Sequence, residues 1–308
     1  MAEGPAMKIV IPGGSGQVGQ ILTRHFHAQG HEVTVLRRDP PPAVGDLEGC
    51  DLCINLAGRS VNCRYHPANR RAIYDSRVLT TQRLNQVIGA LQHPPRLWIN
   101  ASTATIYRHA LDRPMDEATG ELGGSEPGAP ETWNFSIEVA KAWEDAFFAG
   151  STPRTRKIAI RSAMTFSPDR GGVFDVFLGL VRHGLGGPQG SGGQFVSWIH
   201  DADFVRAIDM LIAREEFEGV VNLASPNPLP NREFLRALRE AWGARIGLPA
   251  PAWLIEIGTW LMRTESELVL KSRRVVPGRL LDAGFTFLFP EWPAAARELV
   301  SRWRGRAS

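Results

Sequence analysis

Three glycines at regular spacing near the N-terminus are the first residues that suggest chemistry. In "PGGSGQVG", Gly13, Gly16 and Gly19 form a G-x-x-G-x-x-G pattern. Glycine adopts the conformations of a tight turn at low cost and lets a ligand phosphate approach the backbone. The pattern therefore predicts a turn that holds the pyrophosphate of a dinucleotide, with a purely structural turn as the alternative. The residues assigned to this contact are Gly13, Gly14, Ser15, Gly16, Gln17, Val18 and Gly19.

The elements around this turn favour the dinucleotide. "KIVI" (8–11) is a β-branched run, and apolar residues recur at helical spacing from Gln17 until Gly30 ends the helix. "HEVTVL" (31–36) is typical of a strand. These segments form a βαβ unit of about thirty residues, in which a helix N-terminus faces the glycine turn.

The end of the second strand indicates which nucleotide binds. NAD-binding proteins usually place an acidic residue there to accept a hydrogen bond from the ribose 2′-hydroxyl. Here the strand ends in Arg37 and Arg38, followed by Asp39. Because guanidinium groups bind a 2′-phosphate with paired hydrogen bonds, the sequence predicts NADP(H) as cofactor. The alternative is a solvated basic turn partly neutralised by Asp39.

Strand-like and helical segments continue to alternate along the chain. "DLCINL" (51–56), "RLWINAS" (96–102) and "RKIAIRS" (156–162) are strand-like, and 69–92 and 132–149 are helical. This alternation predicts an α/β fold with a doubly wound parallel sheet of Rossmann type and a small, mainly helical C-terminal substrate region.

The predicted organisation has two parts after a short leader at 1–6. Residues 7–165 form the NADP-binding domain, to which 195–225 return, and 166–194 with 226–308 form the smaller region. Short helices are expected in "PNPLPNREFLRAL", "PAWLIEIGTWLM" and "ESELVLKSRRV". The Gly- and Pro-rich segments 119–130 and 184–193 are loops, either flexible connections or covers over a ligand.

Composition excludes several classes of partner. The 35 Lys and Arg residues against 32 Asp and Glu give a net charge of only +3, which argues against nucleic acid. No apolar run reaches the roughly 18 residues of a membrane span, so we expect a cytoplasmic protein without membrane contact. Cys50, Cys53 and Cys63 are interpreted as packing residues rather than a redox or disulfide motif, and no H-E-x-x-H or similar pattern indicates a metal.

Several motifs together resemble a known superfamily. "GGSGQVG", "NLAG" (55–58), "NASTATIY" (100–107) and "SWIHDADF" (197–204) resemble the extended, epimerase-like branch of the short-chain dehydrogenases/reductases. "SR" (76–77), "AWE" (142–144), "LGGPQGSGGQFVSWIH" and "VVPGRLLDAGFTFLFPE" are similar to the epimerase family proteins with a short C-terminal domain of unknown function.

The resemblance implies further cofactor contacts and partners. It places Leu56, Ala57 and Gly58 beside the ribose, Arg77 toward the cofactor from the long helix, and Thr165 near the nicotinamide. It also assigns Ala101 to the cofactor. The alternatives are strand-end packing for Leu56 and Ala57 and a surface charge for Arg77. A small, sugar-like substrate is implied, with a homodimer formed through the helices at 69–92 and 132–149.

The usual acid/base pair of the superfamily is absent. There a Tyr is followed four residues later by a Lys on the same helix face, and the cation lowers the phenol's pKa from about 10. None of Tyr65, Tyr74 and Tyr107 has Lys at that spacing. The best alignment places Ser136 and Ala140 at the two positions, with Lys141 turned by about 100° around the helix.

Other polar residues are candidates for catalysis. Ser102 or Thr103 lies where the superfamily has a substrate-binding hydroxyl, although turn formation is the alternative, and Tyr107 is a candidate substitute acid. Arg161 is expected either to bind an anionic substrate group or to form an ion pair. For the "HD" pair at 200–201, an N-cap at Asp201, supported by Asp203 in the first turn, is favoured over a substrate role.

Two functions follow from these observations, and a third, a purely structural α/β interaction protein, would require that no NADPH binds. The favoured one is an NADP(H)-dependent oxidoreductase or epimerase acting on a small sugar or carbonyl compound. The alternative is a non-catalytic NADP(H)-binding module, since the acid/base motif is missing.

Overall fold

A computed structural model describes residues 5–124, 130–251 and 270–306. Within them the chain forms ten strands, which are β1 (Lys8–Pro12), β2 (Glu32–Leu36), β3 (Leu52–Asn55), β4 (Leu97–Thr103), β5 (Arg156–Ser162), β6 (Met164–Phe166), β7 (Phe195–Val196), β8 (Trp198–His200), β9 (Gly219–Leu223) and β10 (Leu229–Pro230).

Six of these strands form one parallel sheet in the order β2-β1-β3-β4-β5-β9. The strand order reverses between β1 and β3, and the carboxyl ends of all six strands lie at one edge. In open α/β sheets, ligands bind at the carboxyl edge beside such a reversal. The predicted doubly wound Rossmann-type sheet is confirmed.

The described residues also contain nine helices. They are α1 (Gln17–Ala28), α2 (Val44–Leu47), α3 (Pro67–Ala90), α4 (Glu131–Ala149), α5 (Val173–Arg182), α6 (Asp201–Ala213), α7 (Asn231–Trp242), α8 (Gly278–Asp282) and α9 (Trp292–Gly305), with a 3₁₀ turn at Ala104–Ile106. None of these helices is both long and apolar enough to cross a membrane.

Alternating side chains of the strands build a core on each face of the sheet. Ile9 and Ile11 of β1 pack with α1 and α6, whereas Val10 between them packs with α3 and α4. Cys50 and Cys53 belong to the second of these cores, and burial raises the pKa of Cys50 to about 12. Both thiols are free and buried, which agrees with the packing interpretation.

A separate apolar cluster joins α5, α7 and α9. Phe166, Phe234 and Trp292 pack together at its centre, with ring centroids 4.4 to 5.6 Å apart. The C-terminal region does not pack only here, because Leu280 and Phe287 enter the core of the sheet. The predicted helix in 226–238 is present as α7. The helix predicted in 251–262 lies outside the described residues apart from Pro251. Of the helix predicted in 265–275, only 270–275 are described, and 271–275 are not helical, so that part of the prediction is wrong. Residues 1–4 of the leader and 125–129 of the first loop also lie outside the described residues.

The predicted N-cap at Asp201 is wrong. His200 is the N-cap of α6, and its Nδ1 accepts a hydrogen bond from the Ala202 N–H at 3.1 Å. Asp201 is the first helical residue and binds Arg302 of α9 through both carboxylate oxygens. The ring of His200 contacts Glu298 at 2.8 Å, so long-range partners from α9 determine the geometry of this helix start.

Candidate functional site

The glycine turn between β1 and α1 lies directly against the loop after β3. Gly13 has φ +74°, and a Cβ on it would lie 2.5 Å from Cα of Ala57. A Cβ on Gly19 would lie 2.2 Å from the carbonyl oxygen of Gly14. Both glycines are therefore required by the close packing of the turn itself.

Gly16 differs from its neighbours because packing does not require it. It is the N-cap of α1 with φ −74°, and apart from its two chain neighbours no described residue would have an atom within 4 Å of a Cβ on it. The first turn of α1 contains no acidic residue, and Gly16 provides no side-chain cap. The backbone N–H groups of Gln17 and Val18 thus lie in the first turn of a helix, beside open space. A pyrophosphate that binds at a helix N-terminus needs both features.

Arg37 and Arg38 stand beside this turn. The N–H of Gly13 donates to the carbonyl oxygen of Leu36 at 2.9 Å, which fixes the end of β2 against the turn. Both arginines are exposed, and neither is paired with a carboxylate of the described chain. Their positive charge is therefore available to a ligand that extends from the glycine turn toward β2.

A buried amide pair shapes the loop after β3. Asn55 and Asn100 are opposite one another in register, and Asn55 Nδ2 donates to Asn100 Oδ1 at 2.7 Å. Asn55 Oδ1 in turn accepts from the N–H of Ala57 at 3.1 Å. No sequence motif assigns a role to these asparagines, although a polar residue at the end of each buried strand is a usable signal.

The Ser76–Arg77 pair holds the following part of this loop from α3. Ser76 accepts from the Arg59 N–H at 2.9 Å, and Arg77 donates to the Arg59 carbonyl at 3.1 Å. The guanidinium lies over the Trp143 ring, 5.2 Å from its centroid, and close to Gly58. Burial lowers the pKa of Arg77 to about 10, so the side chain is charged at neutral pH. The arrangement does not fit the alternative of a solvated surface charge.

A cleft of about 240 Å³ opens between α3, α4 and the end of β4. Its lining combines apolar and aromatic side chains with a few polar groups. Its lining includes Tyr65, Arg77, Ser102, Thr103, Phe135, Ser136, Ala140, Trp143 and Arg273. Such a mostly apolar pocket with a few polar groups is typical of a small-molecule site.

The positions of the missing acid/base pair face this cleft. Ser136 and Ala140 of α4, which the alignment places at these two positions, both line it. Lys141 is not among the lining residues, and its Nζ donates to the carbonyl oxygen of Gly123 at 2.6 Å. Lys141 therefore does not replace the lysine of the superfamily motif.

Ser102 belongs to a buried ionic network. It donates to Glu144 Oε1 at 2.5 Å, and Arg161 binds both oxygens of Glu144 at 2.7 and 2.8 Å. Burial alone would lower the pKa of Arg161. The hydrogen bonds to Glu144 and the negative charge of Glu144 outweigh this effect, so the pKa of Arg161 is raised. Of the two expectations for Arg161, the structure contains the ion pair.

Tyr107 extends this network and does not line the cleft. Its phenol accepts from Arg161 at 3.0 Å and donates to Asn222 at 2.9 Å. Burial raises the pKa of Tyr107, against the opposing effect of Arg161. The structure therefore does not bring this candidate acid to the cleft.

Thr103 has a different environment from Ser102. Its Oγ1 accepts from the Thr105 N–H at 3.1 Å, and its own O–H has no acceptor among residues 5–124, 130–251 and 270–306. Ala101 is half-buried in β4 opposite Ile160, and Thr165 is buried in β6 opposite Ile199. Neither Ala101 nor Thr165 lines the cleft.

Together, a parallel sheet, a glycine turn beside its reversal point and an adjoining cleft define a Rossmann-type nucleotide-binding protein of the short-chain dehydrogenase/reductase class. The chain belongs to the NAD dependent epimerase/dehydratase family, whose model matches residues 9–224. Residues 250–299 match a domain of unknown function (DUF1731). The protein is thus an NAD(P)-binding member of an epimerase family, as the sequence motifs suggest.

Full-length relatives support this assignment. The human epimerase family protein SDR39U1 is 31% identical, with 96% of this chain and all of the human protein covered. The crystal structure of human SDR39U1 (isoform2) with NADPH has a TM-score of 0.84 at 30% identity, and the match covers 96% of this chain and 99% of that one. The Thermus thermophilus UDP-glucose 4-epimerase in complex with NAD shares the fold, with a TM-score of 0.70 at 16% identity, covering 97% and 99% of the two chains.

Proposed function

We propose that this protein binds NADP(H) and catalyses oxidation, reduction or epimerisation of a small carbonyl or sugar-like compound. The observation that carries the proposal is the cleft at the end of β4, lined by Thr103 and Arg77 at the same sheet edge as the glycine turn. The NADPH in the human SDR39U1 structure adds support for the choice of nucleotide.

The residues present fit such a cofactor. The open space at Gly16 would hold the pyrophosphate, Arg37 and Arg38 would bind the 2′-phosphate, and the loop at Ala57 and Gly58 would lie beside the ribose. When bound, NADPH supplies a hydride to an electrophilic carbon. The chain must then orient the substrate and provide a hydrogen-bond donor for the oxygen on that carbon, a role that suits the Thr103 hydroxyl.

The cofactor preference is expected to depend on the two arginines. Replacing Arg37 and Arg38 together with alanine should weaken NADPH binding by about tenfold to a hundredfold, because charge-assisted hydrogen bonds contribute about 1.5–3 kcal/mol. NADH lacks the 2′-phosphate, so its affinity should change little. Fluorescence titration of both nucleotides measures the difference, and an equal loss for NADPH and NADH would contradict the assignment.

The two adjacent hydroxyls are expected to contribute unequally to turnover. Thr103→Val preserves side-chain shape but removes the donor, so kcat should fall by about a hundredfold, as for loss of one oxyanion donor. Ser102→Ala should reduce kcat only slightly, since the Ser102 hydroxyl is engaged by Glu144. Steady-state kinetics on a panel of carbonyl compounds and sugars provide the measurement. A larger loss in Ser102→Ala would reverse the assignment.

The second candidate function is a non-catalytic NADP(H)-binding module. It is favoured by Ser136 and Ala140, which stand at the acid/base positions and cannot form the usual pair. In that case NADPH would still bind, and replacing Arg37 and Arg38 would still weaken its binding. No compound of the panel, however, would oxidise the bound NADPH. Turnover that is lost in Thr103→Val would exclude this alternative.

A further inference from the structure

The space next to Ser136 contains a phenol that comes from elsewhere in the chain. Tyr65 lies in the loop before α3, and its hydroxyl oxygen accepts a hydrogen bond from Ser136 Oγ at 3.3 Å. Both residues line the cleft. A phenol is therefore present beside the helix position from which the superfamily's tyrosine would project, although the chain supplies it from a different element.

The surrounding residues hold Tyr65 in one place. Its side chain is only 7% exposed, and its ring packs edge-on against Phe135 with centroids 5.1 Å apart. Its backbone carbonyl accepts from Arg70 Nε at 2.7 Å. Arg70 also binds Glu131 and lies over the Phe135 ring, which ties this loop to the start of α4. A fixed position is what a proton-transferring group requires.

A cation accompanies this phenol. Arg77 of α3 lines the same cleft, and its guanidinium is held by the carbonyl groups of Arg59 and Ile73. Tyr65 lines this cleft as well, and the negative charge of an ionised Tyr65 would favour the charged form of Arg77. By reciprocity, the cation favours the phenolate, which is the effect that the lysine has in the usual motif.

We propose that Tyr65 is the proton donor and acceptor of the cleft, with Ser136 as its hydrogen-bond partner and Arg77 as the cation that stabilises its phenolate. The inference rests on the proposed function. In the superfamily the tyrosine and its cation are on one helix. Here the tyrosine would come from the loop before α3 and the cation from α3.

The chemical balance in the reducing direction is simple. A nicotinamide hydride donor gives two electrons and a hydrogen to the carbonyl carbon and is itself oxidised. The O–H bond of Tyr65 breaks and its proton forms the new O–H bond of the product alcohol. Arg77 stabilises the resulting phenolate until a proton from water restores the phenol, and oxidation follows the reverse order.

The first test is Tyr65→Phe, which keeps the ring against Phe135 and removes only the hydroxyl. We expect kcat to fall by at least about a hundredfold, as for loss of a general acid, with NADPH affinity unchanged. Tyr74→Phe is the matched control, because Tyr74 lies on α3 with 40% exposure and is not a lining residue of the cleft. It should retain wild-type kcat.

The second test does not depend on turnover. The chain has three tyrosines, so their ionisation can be followed by ultraviolet absorbance in the protein without added nucleotide. Arg77→Met should raise the pKa of one tyrosine by about one unit or more, whereas Arg77→Lys should leave it nearly unchanged. The tyrosine whose pKa changes should not titrate in Tyr65→Phe. In the double variant Tyr65→Phe/Arg77→Met, the pKa values of the remaining tyrosines should equal those in Tyr65→Phe.

The possible outcomes separate the two proposals. A wild-type protein that binds NADPH but reduces nothing on the panel contradicts the proposed function, and with it a catalytic Tyr65. A protein with normal turnover in Tyr65→Phe retains the proposed function but overturns the assignment of Tyr65. If Arg77→Met leaves the pKa of Tyr65 unchanged, the role of Arg77 is overturned, whether or not the protein turns over a substrate.

Discussion

Arg161→Met is expected to lower the free energy of unfolding by about 3–5 kcal/mol, the usual cost of leaving one member of a buried ion pair alone. The side chains of Arg161 and Glu144 are each only 9% exposed. The guanidinium makes two hydrogen bonds to Glu144 and one to the Tyr107 phenol. Methionine fills similar volume but leaves the Glu144 carboxylate with the Ser102 hydroxyl, which cannot balance a buried charge.

A double variant separates the ion pair from simple loss of packing. In Arg161→Met/Glu144→Leu neither charge remains, so most of the lost stability should return. Urea unfolding of the wild type and the two variants measures both effects, and similar m-values would show that the unfolded states are comparable. If Arg161→Met alone changed the free energy of unfolding by less than about 1 kcal/mol, the carboxylate would have to be solvated or protonated.

This network shows why the sequence revealed only part of the site. Ser102 and Arg161 are opposite each other on β4 and β5, and Glu144 reaches both from α4. Each lies in an element that the sequence predicts correctly, but their meeting depends on strand register and on how α4 lies across the sheet. Periodicity of apolar residues determines neither, so Arg161 remained open between an ion pair and a substrate contact.

The glycine turn was easier to predict because its chemistry is local. Strand, turn and helix follow one another within 8–28, and the spacing of the glycines alone indicates what the backbone must do. Tyr65 represents the opposite case. It is 71 residues away from its hydrogen-bond partner Ser136, and a search for Tyr-x-x-x-Lys examines only neighbours in sequence. The cation, Arg77, is an arginine on α3. No short sequence motif therefore contains Tyr65, Ser136 and Arg77 together.

Within the turn, two glycine substitutions are expected to differ in their effect on the stability of the fold. Gly19→Ala places a Cβ 2.2 Å from the carbonyl oxygen of Gly14, where backbone rather than a flexible side chain must yield. We expect a loss of about 1–3 kcal/mol in the free energy of unfolding, as for an overpacked site. NADPH binding should weaken as well, because the displaced turn no longer matches the pyrophosphate.

Gly16→Val should affect the ligand without harming the fold. Valine tolerates the φ of −74° at this N-cap, and beyond the two chain neighbours the Cβ would have no atom of a described residue within 4 Å. The free energy of unfolding should therefore change by less than about 1 kcal/mol. NADPH affinity should fall by at least about a hundredfold, or about 2.8 kcal/mol, because the methyl groups occupy the approach of the pyrophosphate to the helix N-terminus.

Thermal unfolding with and without NADPH measures both quantities on the same samples. NADPH should stabilise the wild type. Gly16→Val should be as stable as the wild type without NADPH but should gain less stability when NADPH is added. Gly19→Ala should be less stable than the wild type with and without NADPH. Unimpaired stabilisation of Gly16→Val by NADPH would place the pyrophosphate elsewhere. Because the open space at Gly16 serves no packing purpose in the protein, the contrast between these two variants distinguishes a glycine retained for a ligand from one retained for the fold.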